Sequence, residues 1–225
     1  MSKPLMLLLM IASVCTAACG QKNTTPPAEP SANIPTPVAS PSPEPTPQAV
    51  DEELETKKKA LAFALQEDSI KSDPKGQWAI KAEASSSFAS DLNDPQAGYH
   101  PMQATGAPNV AAYSDDQKSW AAKEADSGIE WLQLEYAKPV TASEIRIRQT
   151  HSPGAIAKIE AFDETGAAQL VWTGPDNSQY AAGQIGWLNV NLQSKPIKTQ
   201  KIKITLATNM VSGWNEIDAV QLVGE

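Results

Sequence analysis

Four side chains in segments without a strand pattern are the first candidates for ligand chemistry. Trp120 and Trp214 stand beside polar residues, His151 lies in a turn before Ser-Pro-Gly, and Tyr99 lies on a long loop. Aromatic side chains cover the apolar faces of sugar rings, and loops on a rigid scaffold are where binding residues concentrate. We therefore predict Trp120, His151, Trp214 and Tyr99 as ligand-binding residues. The alternative is that both tryptophans cover one end of a core and that His151 is merely exposed.

The sequence lacks the motifs of several common enzyme classes. It contains no GxxxxGK[ST], GxGxxG, HExxH or GxSxG, which argues against phosphate-loop, dinucleotide, zinc-protease and hydrolase-elbow chemistry. Two histidines and two cysteines in 225 residues provide neither a Cys/His zinc site nor a disulfide scaffold. The net charge of −8 argues against nucleic-acid binding, which requires a basic face. We expect a chain that is not an enzyme.

The N-terminus has the features of a bacterial export signal. Lys3 precedes an apolar run, Leu5 to Val14, which is too short to span a bilayer and typical of a secretory signal. The small residues Thr16-Ala17-Ala18 then precede Cys19, and this pattern resembles the lipobox of bacterial lipoproteins. The resemblance implies a signal peptide at residues 1–18 and acylation of Cys19, for instance with palmitate. The alternative is an ordinary signal peptide that is cleaved at the same bond.

The lipobox resemblance also implies a location. An acylated Cys19 would anchor the chain in a membrane of the bacterial cell envelope. Gly20 follows the lipid site, whereas an aspartate there tends to retain Gram-negative lipoproteins at the inner membrane. We therefore expect the outer membrane if the organism is Gram-negative.

A spacer and a helix follow the export signal. Residues 21–50 contain nine of the 18 prolines and few large apolar residues, so we assign residues 19–50 to the lipid site and an unfolded Pro-rich spacer. At about 3.1 Å per residue, 30 such residues reach up to roughly 90 Å. Residues 51–68 predict a short helix, with a connector up to residue 75. Its apolar stripe, Leu54, Leu61, Ala64 and Leu65, favours packing against the folded domain; a partner-binding helix is the alternative.

Residues 76–225 predict an all-β domain. Apolar residues alternate with polar ones in about eight short segments, which Gly-, Pro- and Asp-containing turns separate. The segments lie at residues 78–84, 132–136, 145–147, 159–161, 170–172, 188–192, 202–206 and 217–223. One-sided alternation indicates antiparallel sheets with one face on a core, and eight strands fit a jelly-roll sandwich.

Several short segments agree in order with a known superfamily. They are Ala104–Val110, Asp115-Asp116 with Trp120, Gly128–Leu134, Ser152–Ile156 and Glu216–Leu222. Over about residues 76–225 the chain resembles the galactose-binding-like jelly roll, the discoidin or coagulation factor C-type superfamily. That superfamily includes many carbohydrate-binding modules, so the resemblance implies a non-catalytic binding module.

The same resemblance implies a structural calcium ion. In the superfamily such an ion often ties the first long loop to the acidic last strand. The matching positions here are Asp91, Asn93 and Asp94 in the loop, with Glu216 or Asp218 near the end. Carboxylate and carbonyl oxygens are the ligands that calcium prefers. The alternative is that the Asp-Leu-Asn-Asp segment is only a turn.

Alternating basic residues mark two of the predicted strands. Arg146 and Arg148 alternate on one of them, and Lys201 and Lys203 on another. If the strands are neighbours, these residues form a basic stripe. We interpret them as part of a solvated sheet face that nearby acids balance by cross-strand pairing, with an anionic-ligand site as the alternative. Trp187, on the same face as Asn189 and Asn191, either covers a sheet surface or lies under a loop.

Taken together, the sequence favours a lipid-anchored surface or periplasmic protein with a non-catalytic β-domain. Carbohydrate is the ligand class that the loop aromatics and the resemblance favour most. A domain for protein interaction or envelope assembly, without a small ligand, is the alternative. The expected partners are accordingly a membrane, through the lipid, and either a glycan or an envelope protein.

Overall fold

The computed structural model of the chain describes residues 47–180 and 182–225, with the backbone alone for residues 47–50. The predicted signal peptide, Cys19 and most of the Pro-rich segment lie outside these residues. Within the described part, no helix is both long enough and apolar enough to cross a membrane.

The helix α1 spans Pro47–Lys71 and is longer than the sequence pattern predicts. Its first turn begins at a proline, which is favoured there because the first helical N–H needs no partner. The expected packing of its apolar stripe is wrong: Leu54, Leu61 and Leu65 are 49%, 61% and 62% exposed. The C-terminal end of α1 contacts the β-domain instead. Ile70 is buried there, and its carbonyl oxygen accepts a hydrogen bond from the Gln221 side chain.

Eight strands follow the helix, as the sequence predicts. They are β1 Gly76–Trp78, β2 Lys81–Ala84, β3 Ile129–His151, β4 Ile156–Phe162, β5 Ala168–Thr173, β6 Gly186–Asn191, β7 Ile197–Ala207 and β8 Glu216–Gly224. Short 3-10 turns lie at Pro101–Ala104 and Thr208–Met210. Two details differ from the sequence pattern. The segment 78–84 is divided into two strands, and the segments 132–136 and 145–147 belong to one long strand.

The long strand β3 joins two antiparallel sheets into a sandwich. Its first half pairs with β2 and β7, which continues to β4 and β5. Its second half pairs with β6 and β8, which continues to β1. Register shifts between Glu135 and Val140 and between Ala142 and Glu144 lie at the change of sheet. Bulges of this kind bend a strand, so one strand can serve both layers.

The hydrophobic core lies between the two sheets. Both halves of β3 contribute to it, through Leu132 and Leu134 in the first half and Ile145 and Ile147 in the second. β4, β6, β7 and β8 add further isoleucine, leucine and valine side chains to the same cluster. The alternation in the sequence therefore identified most of the core. The segment 170–172 is an exception, because its alternation predicts that Leu170 faces the core. Leu170 is 50% exposed, and its neighbour Val171 is the buried residue.

The basic stripe is not a single feature, and part of its interpretation is wrong. Lys201 and Lys203 pair with the first half of β3, so they lie on the other sheet from Arg146 and Arg148. Acids do balance Lys201 and Arg146, through Glu135 at 2.8 Å and Glu144 at 2.7 Å. Arg148, however, is 2% exposed and not solvated, because α1 and the loop before Val110 cover it.

Arg148 links the helix to both the sheet and a loop. Its Nε donates to Glu67 Oε1 at 2.7 Å, and its Nη1 donates to Asp218 Oδ2 at 2.5 Å and to the Val110 carbonyl oxygen at 2.9 Å. Burial alone would raise the pKa of Glu67, but Arg148 and Lys71 hold it below its ordinary value. A buried guanidinium requires such partners, so the end of α1 is part of the folded domain.

Candidate functional site

Three loops meet at one end of the sandwich, which we call the loop end. They comprise residues 85–128, 152–155 and 208–215. The Gly213 N–H donates to Asp126 Oδ1 at 3.0 Å, and Asn215 Nδ2 donates to the Ser152 carbonyl oxygen at 2.8 Å. These hydrogen bonds join segments that are distant in the chain. Tyr99, Trp120, His151 and Trp214, the four residues predicted to bind ligand, all lie at or beside this end.

Trp120 is not an exposed loop residue, contrary to the expectation for a binding surface. Its side chain is fully buried in the core. Its backbone forms an isolated bridge with Ile217, and its indole Nε1 donates to the Ser86 carbonyl oxygen at 3.1 Å. Trp120 therefore covers the end of the core, which is the structural alternative that the sequence left open.

Three aromatic rings form a cluster on the surface of the loop end. The ring of Phe88 lies 5.3 Å from the ring of Tyr99 and 5.4 Å from the ring of Trp214, edge to face in both cases. Phe88 is 49% exposed. The three rings line a small notch of about 30 Å³ together with Asp115 and Ala121. The aromatic cluster thus combines an exposed apolar ring with a carboxylate.

Tyr99 is held in place at both its backbone and its hydroxyl group. Its φ of 62° is unusual for a residue other than glycine. Its hydroxyl donates to Asp115 Oδ1 at 2.5 Å, and burial, reinforced by Asp115, raises its pKa. Strained backbone of this kind persists where the surrounding structure over-determines it, often at binding sites. The orientation of the ring in the aromatic cluster is therefore fixed before any ligand arrives.

His151 forms a hydrogen bond with the backbone of Trp214. Its Nδ1 donates to the Trp214 carbonyl oxygen at 3.0 Å. Its ring lies 5.2 Å from the ring of Tyr113, whose hydroxyl accepts from the Ser152 N–H at 3.3 Å. His151 is half-buried. It positions the Trp214 backbone, and its contact with a ligand stays a prediction.

Consecutive residues at the loop end carry buried polar atoms without partners. Trp214 Nε1, Asn215 Oδ1 and Glu216 Oε1 have no hydrogen-bond partner among the described residues. Such groups are rare, and each one in a native protein requires an explanation. The loop end therefore holds buried hydrogen-bonding groups that the described residues leave unused.

Glu216 is a buried acid beside other acids. It is 1% exposed, and its Oε2 accepts from the Asp116 N–H at 3.2 Å. Burial raises its pKa to about 8, and the neighbouring Asp115 and Asp116 reinforce the effect. The Glu216 carboxyl therefore stays protonated at neutral pH in the folded chain.

This raised pKa predicts a pH dependence of stability. The folded state holds the Glu216 proton more tightly than the unfolded state, whose glutamate has the ordinary pKa of 4.5. The resulting stabilisation is complete below pH 4.5 and is lost as the pH rises through about 8. We expect the melting temperature of the natural chain to fall across this window relative to that of Glu216→Gln, whose amide is neutral throughout. If the melting temperatures of the two proteins change in parallel between pH 4.5 and 9, the prediction of a buried neutral Glu216 carboxyl is wrong.

The side chains named for calcium do not form one set of ligands. Asp91 and Asp94 are exposed and accept from nearby backbone, the Asn93 N–H at 2.8 Å and the Gln96 N–H at 2.9 Å. Asp218 is paired with Arg148. Within residues 47–180 and 182–225, no three His, Cys, Asp or Glu side chains are grouped to hold a metal. The described carboxylates therefore offer no group of three for a metal, and calcium binding at these positions stays a prediction.

Comparison with known proteins identifies the family. The model of the pappalysin-1 SD scarf domain, C-terminal, matches residues 67–225. The chain belongs to this scarf-domain family. The match begins at Glu67, within α1, and therefore includes the helix residues that contact Arg148 and Gln221 as well as all eight strands. No curated protein matches the chain.

Several solved structures are similar to the scarf domain. One is the family 32 carbohydrate-binding module of NanJ from C. perfringens, solved with galactose, at 18% identity, with 65% of this chain and 98% of that chain covered and a TM-score of 0.45. Another is chitosan-binding module 1 of a chitosanase/glucanase from Paenibacillus sp. IK-5, at 11% identity, 64% and 94% coverage and a TM-score of 0.44. XRCC1, solved with the DNA polymerase β catalytic domain, has 9% identity, 67% and 99% coverage and a TM-score of 0.47.

These similarities concern the β-fold alone. The sandwich itself follows from the strand pairing of this chain.

Sequence reasoning missed two aromatic residues of the loop end. Phe88 stands between small residues, and Tyr113 between small and polar ones, so neither has a local pattern that marks it. Only the folding of the segment 85–128 places Phe88 against Trp214 and Tyr113 against His151. Both contacts join residues far apart in the chain, and for such contacts a single sequence carries no signal.

Proposed function

We propose that the chain is a lipid-anchored protein of the bacterial cell envelope with a non-catalytic carbohydrate-binding domain. The single observation that carries the binding function is the aromatic cluster of Phe88, Tyr99 and Trp214 at the loop end. The anchor rests on the sequence alone, on the apolar run and small residues before Cys19 and on the Pro-rich spacer after it.

The chemistry of the aromatic cluster matches a sugar ring. The exposed ring of Phe88 offers an apolar surface for the C–H face of a pyranose, and Asp115 lies at its edge to accept from hydroxyl groups. Trp214 contributes a second aromatic ring beside Phe88. Binding sites commonly pair aromatic surface with a few fixed polar groups. The carbohydrate-binding modules among the similar solved structures bind ligands of the same class.

Replacement of Phe88 provides the test of the carbohydrate site. We expect the natural chain to bind members of a glycan array, and Phe88→Ala to weaken the affinity about tenfold, which corresponds to roughly 1.4 kcal/mol of lost ring contact. The matched control is Leu92→Ala, which removes another exposed apolar side chain from the same loop. Unchanged affinity in Phe88→Ala would contradict the site. An arm with EDTA separates any calcium requirement from sugar recognition.

The anchor has its own test. In a bacterial host, labelled palmitate should enter the natural chain, and Cys19→Ser should abolish the incorporation because the thiol is the acceptor. Cys15→Ser is the matched control, since Cys15 belongs to the predicted signal peptide. Labelling that persists in Cys19→Ser would contradict the lipoprotein assignment.

The exposed leucines of α1 favour a second candidate function, binding of a protein. Leu54, Leu61 and Leu65 lie at helical spacing and are about half exposed or more. Such a stripe favours an envelope protein as partner. Suppose that the natural chain binds no glycan but can be cross-linked to a partner protein, and that Leu61→Ser abolishes this cross-link. This result would support protein binding in place of carbohydrate binding.

A further inference from the structure

A second groove lies between α1 and the loop before β6, and none of its lining residues belongs to the aromatic cluster. Lys59, Phe63 and Gln66 of the helix form one side, and Tyr180, Gln184 and Trp187 are among the residues of the other. Its volume is about 610 Å³, compared with about 30 Å³ for the notch at the loop end. We call it the helix groove.

Tyr180 is a fixed aromatic surface in the helix groove. Its hydroxyl donates to Asp176 Oδ2 at 2.6 Å and accepts from Gln149 Nε2 at 2.8 Å. Its ring packs directly on Gly186, where a Cβ atom would lie 2.3 Å from two ring carbons. Only glycine leaves room for the ring in this position. The Tyr180 ring is fixed through its hydroxyl group and through its packing on Gly186. It therefore loses little conformational freedom when a ligand binds, and this favours affinity.

Trp187 lines the helix groove with a largely buried indole. Its side chain is 7% exposed, and its indole Nε1 has no acceptor among the residues that the structure describes. Because Trp187 is one of the residues that line the helix groove, its indole N–H signal reports on a ligand there.

The rim of the helix groove is neutral and polar. Gln66, Gln179 and Gln184 are exposed there. Each amide both donates and accepts, which matches hydroxyl groups that do the same. Lys59 is the one charged side chain among the described residues that line the groove. The lining therefore suits an uncharged ligand better than an ionic one.

We propose that the helix groove is a second binding site, for a neutral oligosaccharide. Phe63 and Tyr180 cover the apolar faces of sugar rings, and the glutamines bind hydroxyl groups. The ligand class rests on the proposed function, but the site is separate from the aromatic cluster. Because α1 forms one wall, this site requires the helix in addition to the β-sandwich.

Indole N–H signals in nuclear magnetic resonance test both sites in one sample of the full chain. The probes are β-1,4-linked hexasaccharides of glucose and of galactose. We expect at least one of them to shift the Trp187 signal, while the Trp120 signal stays unchanged because that N–H already donates to Ser86. In the double variant Phe63→Ala/Gln66→Ala, the dissociation constant from the Trp187 signal should rise tenfold or more. Asp68→Ala, at an exposed position of the same helix outside both the groove and the leucine stripe, is the matched control.

The Trp214 signal distinguishes the outcomes. If Trp214 responds and Trp187 does not, the helix groove is not a site, while the carbohydrate function stands. If Trp187 responds and loses its response in the double variant, the helix groove is supported whatever Trp214 does. Equal responses of Trp187 in the natural chain and the double variant overturn the site. No response of either signal to the hexasaccharides overturns the helix groove as a site, while the glycan array separately decides the carbohydrate function.

Discussion

Trp120→Ala is expected to lower the melting temperature by roughly 10 °C. Removal of a buried tryptophan costs about 3–5 kcal/mol through lost transfer energy and a residual cavity. In a domain of this size each kcal/mol corresponds to about 2–4 °C. The loss includes the hydrogen bond from the indole to Ser86, which ties the start of the long loop to the core. Differential scanning calorimetry on the full chain measures the change directly.

Trp214→Phe is the matched control for this experiment. Trp214 is half-buried, and its indole N–H has no partner among the described residues. Phenylalanine keeps a ring in the aromatic cluster and removes the unpaired donor, so its melting temperature should stay within a few degrees of the natural value. A change of less than about 2 °C in Trp120→Ala would contradict the assignment of Trp120 to the core.

Asp218→Ala is expected to destabilise the fold about as strongly. The Asp218 side chain is fully buried with Arg148, and removal of one partner from a buried ion pair costs roughly 3–5 kcal/mol. Burial raises the pKa of Asp218 even though Arg148 opposes the shift, which shows how little water reaches this carboxyl. Urea denaturation should report the loss as a lower midpoint with an unchanged slope.

A double variant separates the ion pair from the packing. Arg148→Met/Asp218→Leu replaces both charges with apolar side chains of similar size, and such replacements are often neutral or stabilising. Glu67 then loses Arg148, but its side chain is 15% exposed and Lys71 remains at 3.1 Å. The double variant should therefore recover much of the stability that Asp218→Ala loses. A loss below about 1 kcal/mol in Asp218→Ala would indicate that the buried pair is dispensable.

Much of the sandwich could be predicted because alternation is a local property. Strands β4, β6, β7 and β8 fall where the period of two places them, and their apolar positions are the core positions. The period did not show that residues 132–136 and 145–147 belong to one strand. The bends between Glu135 and Glu144 occur where the strand changes sheets, and only its partners on both sides determine that change.

The candidate site could be predicted only in part. The sequence correctly placed Tyr99 and Trp214 in loops at one end of the sandwich, whereas His151 is the last residue of β3. It could not distinguish buried Trp120 from half-buried Trp214, because both stand among polar neighbours. The difference arises from one long-range bridge, Trp120 with Ile217, which draws the first indole into the core.

By itself the sequence determined the class of the fold and the phase of most strands, since each depends on residues close together in the chain. The tertiary structure decided which side chains meet. It buried Arg148 under α1, placed Phe88 against Trp214 and formed the helix groove from Phe63 and Tyr180. Burial and contact depend on segments distant in sequence, and the free energy that selects them belongs to the whole packed domain.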